Sequence, residues 1–203
     1  MKKIIIFYVL LAAVSASLAA DISLGFTGGY TYAPDPDSQD KIDDGYTVDQ
    51  SDFPLMGEIA YTFDPFGLLP ALGSLSLSIG VRGGYANPLS YTAPESLDTY
   101  TNIDVKTLPV YAFARLTAGY LFADMGAGVH FWDCTYKTDI ADQSGKGTDF
   151  SYMTSLGGIF NLLDRFSFWL GPTMYYFYIS NIGNGNSANL IAVGATAGFA
   201  VRF

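Results

Sequence analysis

A few of the charged or titratable side chains of this sequence fall inside apolar segments rather than in polar ones. A charged group in such a segment is costly to bury alone, so each is expected to have a partner or a chemical role. Their positions therefore direct attention to the elements that hold them. The residues are Glu58, Arg82, Arg115, Asp124, Arg202 and His130.

Two ion pairs are predicted among these residues. Glu58 and Arg82 fall on neighbouring segments, as do Arg115 and Asp124, and each pair is expected to meet on the diagonal of a hairpin. Such pairs either line a charged constriction or lock a filled interior, and the second interpretation is favoured for a narrow structure. The registers assumed place Phe63 opposite Leu75 and Leu116 opposite Leu121.

The segments that carry these charges alternate between apolar and small or polar residues with period two, which is typical of β-strands. Ile22, Leu24 and Phe26 lie on one face of the first segment, and Ser23 and Gly25 lie on the other. No uncharged apolar run of spanning-helix length follows residue 20. The eight segments begin near Ile22, Phe53, Leu75, Leu108, Leu121, Phe150, Phe166 and Ile191.

Eight such segments predict an all-β protein, an eight-stranded antiparallel transmembrane β-barrel with an up-and-down meander. A barrel of this size has room inside only for side chains, so the face rich in Gly, Ser, Thr and Ala must point inward. The strand charges all share that inward parity, whereas a soluble lipocalin-like barrel requires the reverse pattern. Segments 33–52, 86–103, 133–148 and 180–189 are expected to be long or polar connections at the extracellular end. Pro172 suggests a bulge that would reverse the facing of residues 174–178.

The N-terminus is predicted to be a secretory signal peptide. Lys2 and Lys3 precede the apolar run of residues 4–14, and small residues follow, with cleavage expected after Ala19. The domains are therefore 1–19, signal peptide, and 20–203, transmembrane β-barrel. The net charge of −9 argues against nucleic acid as a partner.

The C-terminal residues Gly198-Phe199-Ala200-Val201-Arg202-Phe203 resemble the targeting signal of outer-membrane barrels, in which Gly198, Val201 and Phe203 would be the recognised positions. The chain as a whole resembles the small outer-membrane proteins of the OmpX and OmpW kind. Phe53-Pro54-Leu55-Met56 and Leu108-Pro109-Val110-Tyr111 resemble that family's second and fourth strands. The resemblance implies location in the bacterial outer membrane, contact with outer-membrane lipid, the barrel-assembly machinery as a partner, and a monomer.

No catalytic constellation is expected, and the protein is interpreted as a non-enzyme without cofactor or metal. Barrel lipid A deacylases carry a His-x-Ser motif, but here His130 is followed by Phe131 and Trp132. Asp124 is too far along the same strand to orient the imidazole directly. His130 as a general base or pH switch is therefore the less favoured interpretation.

The segment 33–52 is strongly acidic, with seven aspartates against Lys41. Weak cation binding or contact with a basic partner is one interpretation, and a solvated acidic loop is the favoured one. It is not an EF-hand, because Asp40 stands where glycine is needed and Tyr46 where the bidentate glutamate belongs. Cys134 is the only cysteine, so it is either tucked into the barrel mouth or available for a mixed disulfide.

Two functions from different classes remain open. The first is a small passive pore or conduit for small solutes, lined by Tyr111, Phe113, His130, Trp132 and Trp169. The second is a surface-exposed interaction or adhesion protein that uses acidic extracellular loops on a closed barrel. Inward aromatic residues favour a closed interior, whereas nine inward glycines favour free space: Gly25, Gly29, Gly80, Gly84, Gly126, Gly128, Gly157, Gly194 and Gly198.

Overall fold

The computed structural model describes residues 21–33, 47–63, 75–92, 101–138, 142–162, 165–180 and 187–203. The predicted signal peptide and residues 34–46 of the acidic segment lie outside the described residues. The strands are β1 (Asp21–Tyr32), β2 (Thr47–Asp49), β3 (Ser51–Asp52), β4 (Leu55–Phe63), β5 (Leu75–Thr92), β6 (Thr101–Ala118), β7 (Leu121–Thr138), β8 (Asp142–Leu162), β9 (Phe166–Ile179) and β10 (Ala188–Arg202). In this part of the chain no helix is long and apolar enough to cross a membrane.

The long strands close into a ring. They follow the order β10-β9-β8-β7-β6-β5-β4-β1, and β10 pairs with β1 to complete the barrel. All of these pairings are antiparallel, and apart from the closing β10–β1 pair each joins long strands that follow one another along the chain. The short strands β2 and β3 pair antiparallel with β5 and β1. The predicted eight-stranded antiparallel barrel is confirmed.

The two ends of the barrel are built differently. At one end β6 and β7 are joined by a two-residue turn, where Gly119 has a φ of 61° that suits glycine. At the other end the strands run further than the sequence suggested. Within the span 133–148, expected to be a connection, residues 133–138 continue β7 and residues 142–148 belong to β8, and the two strands pair as far as Lys137 and Asp142.

The bulge predicted at Pro172 is wrong. The register between β9 and β10 stays constant along its whole length, with Pro172 opposite Ala195. The ladder to β8 is interrupted beside the proline but resumes in the same register, so no residue is inserted and the facing of 174–178 does not reverse. A register shift lies instead between Ala86 and Leu89 on β5.

Away from the register shift on β5, side chains alternate between the two faces of the wall. On β1, Ser23 and Thr27 are buried, whereas Phe26 between them is 63% exposed. The outer face of the ring is apolar and the inner face carries small, polar and charged residues, as predicted. Exposed apolar side chains include Ile22, Leu24, Leu55, Ile59, Ile79, Val81, Leu108, Leu116, Leu121, Met125, Val129, Leu156, Leu170, Ile191, Val193 and Phe199.

Candidate functional site in the barrel interior

Glu58 and Arg82 stand directly opposite each other on β4 and β5. The Arg82 guanidinium donates to Oε2 of Glu58 through Nε at 2.9 Å and through Nη2 at 2.6 Å. The predicted diagonal placement is therefore wrong in register, because Phe63 pairs with Leu77. The two side chains meet nonetheless.

Arg115 and Asp124 have the same relation on β6 and β7. Nε of Arg115 donates to Oδ1 of Asp124 at 2.8 Å, and Nη2 donates to Oδ2 at 3.1 Å. This pair is also directly opposed rather than diagonal, since Ala118 pairs with Leu121. The bidentate geometry is the strong form of an arginine–carboxylate contact.

The two pairs join into one network, here named the charge cluster: Glu58, Arg82, Arg115 and Asp124. Arg82 also donates to Asp124 at 2.9 Å, and Arg115 donates to Glu58 at 3.1 Å. These contacts cross between strands that are not neighbours, because the barrel is narrow enough for side chains to reach across it. Every member is at least 94% buried, and two cations balance two anions.

Aromatic side chains pack against the charge cluster from several strands. The Arg115 guanidinium lies 4.2 Å from the Trp169 ring centroid, and the Arg82 guanidinium lies 4.7 Å from that of Phe113. Arg82 also contacts Sδ of Met153 at 3.4 Å. Cation–π contacts gain strength where water is excluded. Strands β4 to β9 all contribute to this level of the interior.

Inward glycines at this level make room for large neighbours instead of leaving space. A Cβ on Gly126 would stand 2.9 Å from Met153, and one on Gly80 would collide with the backbone carbonyl of Ile59 as well as standing 2.9 Å from Phe113. A Cβ on Gly198 would collide with the Trp169 indole. The expectation that inward glycines open the lumen is therefore wrong at these positions, because side chains from other strands occupy the volume.

Above the charge cluster, towards the end with the long hairpin, the interior is filled by apolar groups. Tyr111 and Tyr175 pack with ring centroids 6.5 Å apart, and Tyr175 stacks on Phe177 at 6.2 Å. We name this group the extracellular plug, after the end of the barrel that the sequence predicts to be extracellular. The sequence analysis did not single out Tyr175 or Phe177, because the expected bulge left their facing open. The plug comprises Met56, Leu89, Val105, Tyr111, Trp132, Cys134, Met153, Tyr175, Phe177, Ile179 and Leu190.

His130 and Trp132 lie inside the plug. The His130 ring is fully buried and meets Phe177 edge-on at 5.2 Å, and neither of its nitrogens has a hydrogen-bond partner among the described residues. Trp132 donates from Nε1 to Asp149 at 2.7 Å. Asp149 also accepts from the backbone N–H of Ser180 at 2.7 Å, so the three residues tie β7 and β8 to the end of β9. Their role was not foreseen from the sequence.

Cys134 is buried among the plug residues, with 2% of its surface exposed. Burial, followed by the nearby carboxylates of Asp104 and Asp133, raises the pKa of its thiol. A neutral, enclosed thiol is a poor nucleophile. Asp52, assigned to the acidic loop, is also buried and accepts from the backbone N–H of Asn87 at 2.8 Å.

The C-terminal residues lie at the seam that closes the barrel. The backbone N–H of Phe203 donates to the carbonyl of Ile22 at 2.9 Å. Phe203 is 73% exposed, and Phe199 packs against Phe26 across the seam with centroids 5.8 Å apart. Val201 lies on the outward parity of β10, and Gly198 lies inward beneath Trp169.

The fold and the site define a closed, eight-stranded antiparallel barrel with an apolar exterior and a filled interior. Solved structures with which the chain is similar are small bacterial outer-membrane β-barrels, the kind that the sequence resembled. They include Neisserial surface protein A (13% identity, 91% of this chain and 99% of that one, TM-score 0.47). A major outer membrane protein from Thermus thermophilus is similar too, with 14% identity, coverage of 91% of this chain and 100% of that one, and a TM-score of 0.48. Ail from Yersinia pestis is similar with 16% identity, coverage of 91% of this chain and 97% of that one, and a TM-score of 0.44. No family model and no curated relative matches the chain.

Within the described residues, no group of three or more His, Cys, Asp or Glu side chains could hold a metal ion. The residues that could act as acids or bases in the interior are engaged in ion pairs or packed in the plug. The arrangement can hold charges rigidly across the lumen. Among the interior residues that the structure describes, it offers no nucleophile beside a base with room for a substrate.

Proposed function

We propose that the chain is an integral outer-membrane protein whose closed barrel acts as a rigid stand for its extracellular segments. The first support is the outer surface. On β6 the apolar outward row runs from Leu108 to Ala118. At roughly 3.3 Å per residue and a tilt of about 40°, this gives a band about 25 Å tall, the height expected of a lipid-facing belt.

On these strands, the outward-facing charged side chains lie outside that band. The row across β6, β7 and β8 just beyond Leu108 is Lys106, Asp133 and Lys146, all directed outward. In the band itself, the charged side chains of the described strands point inward. Since an outward Arg or Lys at mid-depth would cost about 2 to 4 kcal/mol, this distribution supports insertion in a bilayer.

The second support is the occluded lumen, and this single observation favours the stand over the conduit. A solute crossing the barrel would have to separate the charge cluster, whose members reach across the lumen between non-neighbouring strands. It would also have to displace the aromatic side chains of the extracellular plug. Breaking a buried ion pair costs about 3 to 5 kcal/mol, so thermal opening of the path is rare.

The surface offered to a partner is the extracellular end. The paired ends of β7 and β8 extend beyond the belt, and Asp49 on β2 is exposed at this end. Together with the acidic segment before β2, this end favours a partner with a basic surface. The barrel is proposed to act as a monomer, since its ring is closed and leaves no unpaired edge.

Single-channel recording on the refolded chain in a planar bilayer tests this proposal. We expect no resolved current steps at neutral pH, with a porin added afterwards to the same bilayer as a positive control. Reproducible steps from the refolded chain would contradict the closed stand and favour the conduit.

The assembly signal is a separate part of the proposal. Deletion of Phe203 removes one lipid-facing aromatic side chain, worth at most about 1.5 to 3 kcal/mol, so the chain should still refold in detergent micelles. If the barrel-assembly machinery reads this residue, the truncated chain should be depleted from the outer membrane in cells. Quantitative blotting of membrane fractions measures this effect.

Phe199→Ala is the matched control for that deletion. It removes another exposed aromatic from the same strand but lies between the positions of the signal. We expect near-normal outer-membrane levels for this control. Equal depletion of both variants would mean that Phe203 acts only as a lipid-facing residue.

A further inference from the structure

The outer wall of the barrel is not evenly bulky, and a wide hollow lies on β5 to β8. A groove of about 970 Å³ opens there on the outward face. Its floor is formed by Ala112, Ala114 and Ala127, which lie side by side on β6 and β7. Small residues at the centre of the belt let an apolar group approach the backbone closely.

Large apolar side chains form the two walls of this groove. Ile79 and Val81 stand on the β5 side, and Phe150 and Tyr152 stand on the β8 side. Tyr152 is held upright by stacking on Tyr176 with centroids 4.6 Å apart. The groove therefore has an apolar lining suited to hydrocarbon chains.

A row of charged residues lies beyond one end of the groove on the same strands. Lys106, Asp133 and Lys146 share one register row, and Ala112, Ala127 and Tyr152 share another, six residues away on each strand. That spacing is roughly 20 Å along the strands and about 15 Å in depth, half the thickness of the hydrocarbon core. The lysines thus stand at headgroup level when the groove is at mid-depth.

The two lysines are available to an anion. Lys106 contacts Asp104 at 2.9 Å and Lys146 contacts Asp133 at 2.7 Å, but both lysine side chains are more than half exposed. Exposed pairs of this kind are weak and exchange readily for a stronger anion. Of the basic side chains that the structure describes, only these two lie at the extracellular boundary, and both are above this groove.

We propose that the groove binds the acyl chains of a phosphorylated lipid whose phosphate lies between Lys106 and Lys146. The inference rests on the proposed membrane location and adds a lipid class and a site to it. The lysines stand on strands separated by β7, with Cα atoms about 10 Å apart, so one phosphate group can contact both long side chains. Asp133 lies between them on β7, so the phosphate takes the place of its carboxylate beside Lys146 and of the Asp104 carboxylate beside Lys106. Charge at one end and hydrocarbon at the other match a single amphipathic ligand.

A second groove, of about 500 Å³, supplies an internal control. It lies on the other side of the ring among β1, β4, β9 and β10, with Gly57 and Ala197 in its floor and Phe168 and Phe199 in its walls. No described lysine stands above it. Acyl chains could occupy either groove, but preference for a phosphate is expected only at the first.

The test is lipid retention by the refolded chain in detergent micelles, counted by native mass spectrometry. Dimyristoyl phosphatidic acid is compared with dimyristoyl phosphatidylcholine, which has the same chains and no net charge. Lys106→Gln with Lys146→Gln should reduce the apparent affinity for phosphatidic acid roughly tenfold and leave phosphatidylcholine unchanged. Ala112→Leu with Ala127→Leu should weaken both lipids several-fold by filling the floor.

Ala197→Leu should leave the preference for phosphatidic acid intact. An unchanged preference in the lysine variant, or unchanged retention in the filled-groove variant, would overturn the proposal. So would an equal loss in Ala197→Leu, because it would indicate a non-specific belt. Flotation of the wild-type chain with lipid vesicles is measured separately: if it does not float, the membrane proposal fails, and if it floats without selective retention, only this inference fails.

Discussion

The interior of the barrel is filled in two ways at two depths. At mid-depth the charge cluster joins Glu58, Arg82, Arg115 and Asp124, and each charged group contacts two partners of opposite sign. In the extracellular plug, aromatic and aliphatic side chains are packed together instead. The same narrow barrel is thus closed by ion pairs at mid-depth and by apolar packing above them.

The two levels differ in how completely their polar atoms are satisfied. Within the described residues, the buried side-chain nitrogens and oxygens of the charge cluster all have hydrogen-bond partners. In the upper interior, Tyr111, His130 and Ser151 have buried polar atoms without a partner. Removing one member of a paired network lowers the stability of the protein strongly, because its partner is left charged and buried. Replacing an unpartnered polar group with an apolar one changes the stability little.

The largest expected effect is at the charge cluster. Glu58→Gln should lower the free energy of unfolding by about 3 to 5 kcal/mol, because both arginines lose a buried counter-charge. The loss should be clearly smaller in an Arg82→Gln background, with a coupling of about 1 to 3 kcal/mol. Urea unfolding in detergent micelles measures the cycle.

Asp133→Asn is the control for that cycle. It breaks the exposed pair with Lys146 and should change stability by less than about 1 kcal/mol. Strictly additive losses for Glu58→Gln and Arg82→Gln would show that these side chains do not act as a pair.

An intermediate effect is expected where the plug does contain a satisfied polar contact. Trp132→Phe removes the indole hydrogen bond to Asp149 and should cost about 1.5 to 3 kcal/mol, since the acceptor is charged. Phe131→Leu, an outward neighbour that is half exposed, should cost less than about 1 kcal/mol. Thermal unfolding of both variants is monitored by circular dichroism. Equal losses of stability in the two would mean that the hydrogen bond contributes nothing.

The sequence predicted the fold and the facing of its strands because both depend on period two alone. The assumed registers were two residues away from those found at Phe63 and Leu116, and a slip of two leaves every side chain on its own face. The single charge cluster was not predicted, because contacts between β4 and β6 or β5 and β7 depend on the width of the barrel. The role of Gly126 and Gly198 was also missed, since the sequence does not say which neighbour fills the space beside a glycine.

The smallest effect is expected at His130, and it sharpens the contrast between the two levels. His130→Leu keeps a side chain of similar size and gives up an edge-on contact with Phe177 worth about 0.5 to 1.5 kcal/mol. The substitution also removes two buried nitrogens that have no partner among the described residues, which offsets that loss. The free energy of unfolding should therefore stay within about 1 kcal/mol of wild type in the same urea titration. A loss above about 2 kcal/mol would mean that the imidazole has a polar partner in the membrane-inserted protein, and the upper interior would then depend on pairing just as the charge cluster does.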